Sequence, residues 1–219
     1  MIFKKLGRTI KQQFYSVKTI ATHDGAFHAD EVLGCTMLTK YTDEFYDANI
    51  VRTRDPSVLA AADLVLDVGG EYNPKTKRYD HHQREFTETF TPFHDIRMSS
   101  AGLIYRHYGR EVVKKISNKY INQFRLGVDL NDPKTSDLIY YKLYESFIYG
   151  MDGIDNGVSQ YPTDAKPRYS ESTGISSRVG RLNPYWHQNF SAEEQLERFR
   201  AAIEIMDGEL NSQVKDIVV

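Results

Sequence analysis

His23, Asp24, His28 and Asp30 fall within eight positions of the stretch "ATHDGAFHADEVLGC", directly after the strand-like "VKTI" and directly before an apolar, helix-like run. A second cluster, Asp80, His81 and His82 of "YDHHQ", follows Asp67, which stands near the carboxyl end of "LVLD" just before Gly69 and Gly70 let the chain turn. Four of the seven histidines lie in these two clusters. Imidazoles and carboxylates without cysteine form a ligand set for Mn2+, Mg2+, Fe2+ or Zn2+ rather than for an iron–sulfur centre. Two ions need a shared carboxylate and further ligands for each, and His23, His28, Asp30, Asp67, Asp80, His81 and His82 are numerous enough. Taken singly, each member has a plainer reading: "DG" is a common turn, and Asp30 is a good helix N-cap. The coincidence of position is what favours a metal centre.

That coincidence depends on the elements around the clusters. "VKTIAT" (17–22), "NIVRT" (49–53) and "DLVLDVGG" (63–70) are short β-rich runs, with helical "ADEVLGCTMLTKYT" and "PSVLAAA" between them. This alternation predicts an α/β fold, a parallel sheet flanked by helices. Open parallel sheets bind ligands beyond the carboxyl ends of their strands, where both clusters and Asp67 fall. After residue 98 the pattern is mostly helical, interrupted by a Gly/Pro/Ser-rich stretch over 155–186 that reads as a functional or mobile loop. A carboxyl-terminal helix starting near Ser191 carries apolar Ile203, Ile205, Met206 and Leu210, which need partners in this domain or in a second copy, so a homodimer stays open. The division read from sequence is a basic extension (1–16), a catalytic domain (17–190) and a helical segment (191–219).

At 219 residues and 40% hydrophobic, the chain can bury a substantial core. A net charge of −2 argues against a protein that coats long duplexes with positive charge, although local basic grooves remain available. The single cysteine, Cys35, excludes an internal disulfide and fits a reducing compartment. No stretch approaches the roughly 18 consecutive apolar residues of a spanning helix, so no membrane partner is expected. The first acid appears only at Asp24, after Lys4, Lys5, Arg8, Lys11 and Lys18. Such a start is either a mitochondrial presequence or a basic amphipathic extension packed on the domain, with nuclear or cytoplasmic residence as the alternatives.

Six ordered segments, "THDGAFHADEVLGC", "IVRTRDP", "VLDVGGEYNPKTKRYDHHQREF", "SSAGLIYRHYG", "DGIDNGVSQY" and "SSRVGRLNPYW", resemble the DHH phosphoesterase superfamily, and within it the melanocyte proliferating gene family. The resemblance runs from about residue 18 to 190 and implies a metal-dependent 3′–5′ RNA exonuclease. It implies that His23, His28 and Asp30 bind metal, with His28 where the superfamily usually has an acid, which favours a slightly softer site. Asp67 would bridge both ions, His81 would bind metal, His82 would contact phosphate and Asp80 would orient an imidazole. The fourth-motif acid would be Asp155, with Asp152 as the alternative. One ion would then hold His23, His28 and Asp67, and the other Asp30, Asp67, His81 and Asp155.

Two divalent cations, Mn2+ first and Mg2+ second, about 3.5–4 Å apart, activate a water and offset charge on phosphorus, so no side-chain nucleophile is needed. Asp24 and Glu31 are near enough in sequence to orient ligands or move protons. Arg52 and Arg54 follow the second strand and suit phosphate, or else pair with Asp55 or Asp63. Lys75, Lys77, Arg78 and Arg84 surround the second cluster, while Arg168, Arg178 and Arg181 mix with Tyr169 and Trp186 as in single-strand binders. The expected substrate is single-stranded RNA or a short oligonucleotide. A small phosphorylated metabolite, pyrophosphate, or a non-catalytic metal-stabilised module are the alternatives.

Overall fold

In the computed structural model, residues 17–161, 166 and 168–219 are described; the reading of residues 1–16 as a targeting segment falls outside them. The first two β-rich runs form β1 (Thr19–Thr22) and β2 (Asn49–Arg52), and the third narrows to β3 (Leu64–Leu66). Between them lie α1 (Ala29–Tyr41) and α2 (Pro56–Ala61), the latter capped by Asp55, whose carboxylate accepts from Ser57 N. Residues 71–79 form a hairpin that was not read from sequence: β4 (Tyr72–Asn73) turns back onto β5 (Arg78–Tyr79).

The sheet runs β2-β1-β3-β5-β4, with β1 parallel to both neighbours, β5 parallel to β3, and only β4 antiparallel. The fold is therefore α/β with a mostly parallel sheet. β1, β3 and β5 lie side by side and point the same way, so their carboxyl ends share one edge.

Val32, Leu33, Cys35, Met37 and Leu38 of α1 are fully buried, so this helix is enclosed on nearly all sides. It lies close to the sheet at Gly34, where an added Cβ would stand 2.6 Å from Leu66 Cδ1. The long α3 (Ser100–Phe124) packs along α1. α4 (Pro133–Leu143) runs through a π-helical turn (Tyr144–Ile148) into α5 (Tyr149–Asp155). The stretch 155–186 is not wholly irregular, because it contains α6 (Ile175–Gly180).

α7 (Ala192–Val218) opens on a Ser191 cap and lays a stripe of Phe199, Ala202, Ile203, Met206, Leu210 and Val214 into the core, against α1, α3 and α4. Ile203, Met206 and Leu210 thus find their partners within the domain, while Ile205 is half-buried. Among the described residues no helix is long and apolar enough to cross a membrane.

Candidate metal centre

Each cluster continues a strand. His23 follows β1, Asp67 follows β3, and Asp80-His81-His82 follows β5, so strand adjacency alone brings the three segments together. Asp67 takes a left-handed backbone, φ 58°, a conformation that Asp and Asn adopt more readily than other L residues. Its N–H still donates to Tyr79 O at 3.1 Å, so the chain turns out of the sheet without losing that bond.

Around Asp67 the ring nitrogens close in from both sides. His23 Nε2 lies 3.2 Å from Asp67 Oδ2 and 2.9 Å from Glu31 Oε1. His81 Nε2 lies 3.4 Å from Asp67 Oδ1 and 3.1 Å from Asp155 Oδ2. Three overlapping groups result, in each of which the donor atoms lie within 4.8 Å of one another: His23, His28, Glu31 and Asp67; Asp67, His81 and His82; and His28, Asp30 and Asp155. Asp67 joins the first two, and His28 joins the first and third.

Burial opposes charging of His23, but its hydrogen bonds to Asp67 and Glu31 outweigh that and carry its pKa up to about 10. Burial opposes protonation of His81 as well, and Asp155 and Asp67 overcome it, to about 9. Burial alone would raise the Asp67 carboxyl, yet the close His23 and His81 rings and the hydrogen bond from Ser100 hold it well below the usual carboxylate range. Asp30 goes the other way: desolvation, then the charges of Asp67, Glu31 and Asp155, push it well up.

These residues fit divalent cations. Both oxygens of Asp30, Glu31 Oε2 and both ring nitrogens of His81 are buried without a hydrogen-bond partner, a costly state that a cation relieves. The contacts of His81 Nε2 are close enough for an ion pair but lack hydrogen-bond alignment. A cation binding here competes with protons for His23 and His81. Beside the cluster opens a cavity of about 920 Å³, lined by His23, His28, Arg54, Asp67, Asp80 and His82 among others.

The model of the MYG1 exonuclease family, described as the uncharacterised protein family UPF0160, matches residues 19–219. The chain belongs to this family. It is 46% identical over 188 residues to the MYG1 protein of Dictyostelium discoideum, covering 86% of this chain and 53% of that one. To the MYG1 exonuclease of Mus musculus it is 44% identical over 195 residues, 87% of this chain and 48% of that protein. The MYG1 exonuclease of Homo sapiens stands at 43% over the same length and shares. The chain thus spans about half the length of the curated relatives it matches. No solved structure matches it significantly.

In this MYG1-family chain the remaining site residues expected from sequence separate by role. Asp80 faces away from the ring nitrogens of His81: its Oδ1 accepts from His81 N, His82 N and His82 Nδ1 (2.7 Å), and its Oδ2 from Gly70 N. It therefore fixes the His82 tautomer, leaving Nε2 of that exposed ring free. Asp152 is not at the cluster. Its Oδ1 accepts from Ser99 N and Ser99 Oγ and its Oδ2 from Tyr144 OH, tying α5 to the start of α3. Of the two candidate acids, only Asp155 meets His81.

The arginines divide as well. Arg52 holds the loop between β1 and α1: its Nη2 donates to Gly25 O at 2.7 Å, and its guanidinium lies about equally near the Phe27 and Phe199 rings. Arg54 reaches the large cavity and pairs with Asp24 at 3.1 Å, not with Asp55 or Asp63. Arg178 stands 3.6 Å from Glu209, Arg181 donates to Ser172 O, and Arg78 braces Leu59 O and Ala62 O. Arg84 is exposed.

Two positions at the cluster were under-read from sequence. Glu31 is completely buried and accepts from His28 N at 2.8 Å, as the third residue of α1 does in a capping arrangement; the N-cap-to-N3 spacing was its signal. Ser100 donates to Asp67 Oδ1 at 2.8 Å from the amino-terminal turn of α3. The small residues of "SSAG" were the clue, since Ser99 caps the helix and Gly102 leaves room for the Asp152 carboxylate.

Proposed function

We propose that this chain carries the metal-dependent active centre of a phosphodiesterase that removes nucleotides from the 3′ end of single-stranded RNA. The observation that carries the reading is Asp67, a carboxylate shared between two histidine- and acid-rich groups at the carboxyl edge of a parallel sheet, beside an open cavity. Supporting it, relatives over 40% identical are named exonucleases, and the ordered segments resemble DHH phosphoesterases.

In this reading His23, His28, Glu31 and Asp67 hold one cation, and Asp30, Asp67, His81 and Asp155 the other. Bound there, two divalent ions activate water and neutralise charge developing on phosphorus. Ser100 orients Asp67 between the two groups. Asp80 holds the His82 ring so that its free nitrogen meets phosphoryl oxygens, and Arg54 exchanges Asp24 for substrate phosphate. Residues 17–190 form the catalytic unit, with α7 packed into it.

A second reading, hydrolysis of a small phosphorylated molecule, draws on one feature. Among the described residues lining the large cavity, Arg54 is the only arginine or lysine, whereas Asp24, Asp80 and Glu85 also line it. The deciding experiment is cleavage of 5′-labelled single-stranded RNA with Mn2+ against EDTA, with Asp67→Asn as the blank. A metal-dependent ladder shortening from the 3′ end supports the exonuclease. Intact RNA together with phosphate release from pyrophosphate overturns it in favour of the small substrate.

A further inference from the structure

A second, smaller cavity of about 240 Å³ opens on the other side of the loop between β1 and α1. Its wall on the catalytic side is His28, Asp30 and Asp155, and the rest includes Phe27, Met151, Ile154 and Gly180. His28 lines both this cavity and the large one, so the two meet across a single candidate ligand. Ile154, one residue before Asp155, leaves 62% of its surface exposed.

The floor is rigid. Phe27 donates its N–H to Asn183 Oδ1 at 2.8 Å and accepts from Asn183 Nδ2 at 2.7 Å, a two-point backbone clamp across 156 positions, and its ring packs edge-on against Phe199. Ser176 at the rim has only the Met151 sulfur near its hydroxyl, 3.9 Å away, a weak acceptor that leaves the O–H available. The volume lies below the roughly 300–1,000 Å³ of pockets that enclose whole ligands, so it suits one ring system and not a complete nucleotide.

We infer that this cavity is a nucleobase subsite: it takes the base of the nucleotide whose phosphate meets the metal centre, by packing on the exposed Ile154 side chain and by a hydrogen bond from Ser176. The inference rests on the phosphodiesterase reading and narrows its substrate to base-bearing nucleotides. It assigns the sugar–phosphate to the large cavity and the base to the small one, with His28 between.

Gly180 supplies the test. It lines the cavity and ends α6 without a positive φ, and a Cβ there would meet nothing within 4 Å, so Gly180→Leu adds apolar bulk at the cavity's edge without backbone strain. The substrates are a ribodinucleotide and its abasic counterpart, both with Mn2+, and the readout is the preference in kcat/KM for the first over the second. The wild type should prefer the base-bearing substrate, and Gly180→Leu should erode that preference about tenfold through KM, in line with the worth of one base contact. Ile154→Ala makes the same comparison by removing the wall instead of filling the space. An unchanged preference in both variants overturns the subsite. A wild type that cleaves neither substrate while hydrolysing pyrophosphate overturns the phosphodiesterase reading beneath it, a result separable from the first.

Discussion

Glu31 Oε1 stands 2.9 Å from His23 Nε2, inside the protein and out of reach of solvent. The same oxygen accepts from His28 N, so one carboxylate both closes the first turn of α1 and faces a candidate ligand. Glu31→Gln preserves shape but removes a buried negative charge from beside His23. Mn2+ affinity measured by calorimetry should fall about 10–100-fold, the scale seen when groups supporting metal ligands are removed. Wild-type affinity in this variant would show that Glu31 only caps the helix.

His82 makes a different prediction because its ring is exposed and its Nδ1 is committed to Asp80. His82→Ala should keep Mn2+ stoichiometry and lower kcat by about 10²–10³, the usual loss when one charge-stabilising donor is removed. A variant with full turnover would leave His82 without a phosphate role. Loss of metal would move it into the ligand set.

Asp152 should write itself into the pH dependence of stability. Burial is the main reason that its carboxyl is raised to about 6, against which Tyr144 and Ser99 pull it down. A raised acid binds its proton more tightly in the folded state than in the unfolded one, where its pKa is near 4. The resulting stabilisation is complete below pH about 4 and is lost as pH rises through about 6, a change of about 3 kcal/mol. Asp152→Asn does not titrate, so urea unfolding at pH 4.5 and 7.5 should show the wild type losing ground to the variant at the higher pH. A difference between the two proteins that is constant with pH would disprove the coupling. Asp152→Ala leaves three buried donors unpaired and should destabilise at both pH values by about 2–4 kcal/mol.

Metal should also report through stability. Binding to the folded state alone at a hundredfold excess over Kd contributes about 2.7 kcal/mol. For a chain of this size, that converts to a rise in Tm of about 5–10 °C. Thermal unfolding with Mn2+ against EDTA checks it, and Asp67→Asn should abolish the difference. That variant is suited to the test because Asn tolerates the left-handed backbone at position 67.

Much of this was legible along the chain because its causes are local. Alternating β-rich and helical runs predicted a parallel sheet and put His23 and Asp67 just past strand ends, whereas β5, the two-residue strand that brings His81 to the same edge, appears only in the fold. The distribution of types, histidines and acids with no cysteine nearby, set the chemistry of the cluster.

What only the tertiary structure decided are relations between groups far apart in sequence. Asp152 and Asp155 are three residues apart on α5 and alike in type, yet one meets Ser99 and the other His81. Arg52 and Arg54 look alike on the strand, yet packing against Phe199 turns the first into a brace for the loop between β1 and α1. Glu31 reads as one more surface acid in sequence; enclosure of α1 by the sheet, α3 and α7 is what removes water from it. Residue type and spacing determined which groups are available. Burial and direction, which sum contacts over the whole chain, decided which of them meet.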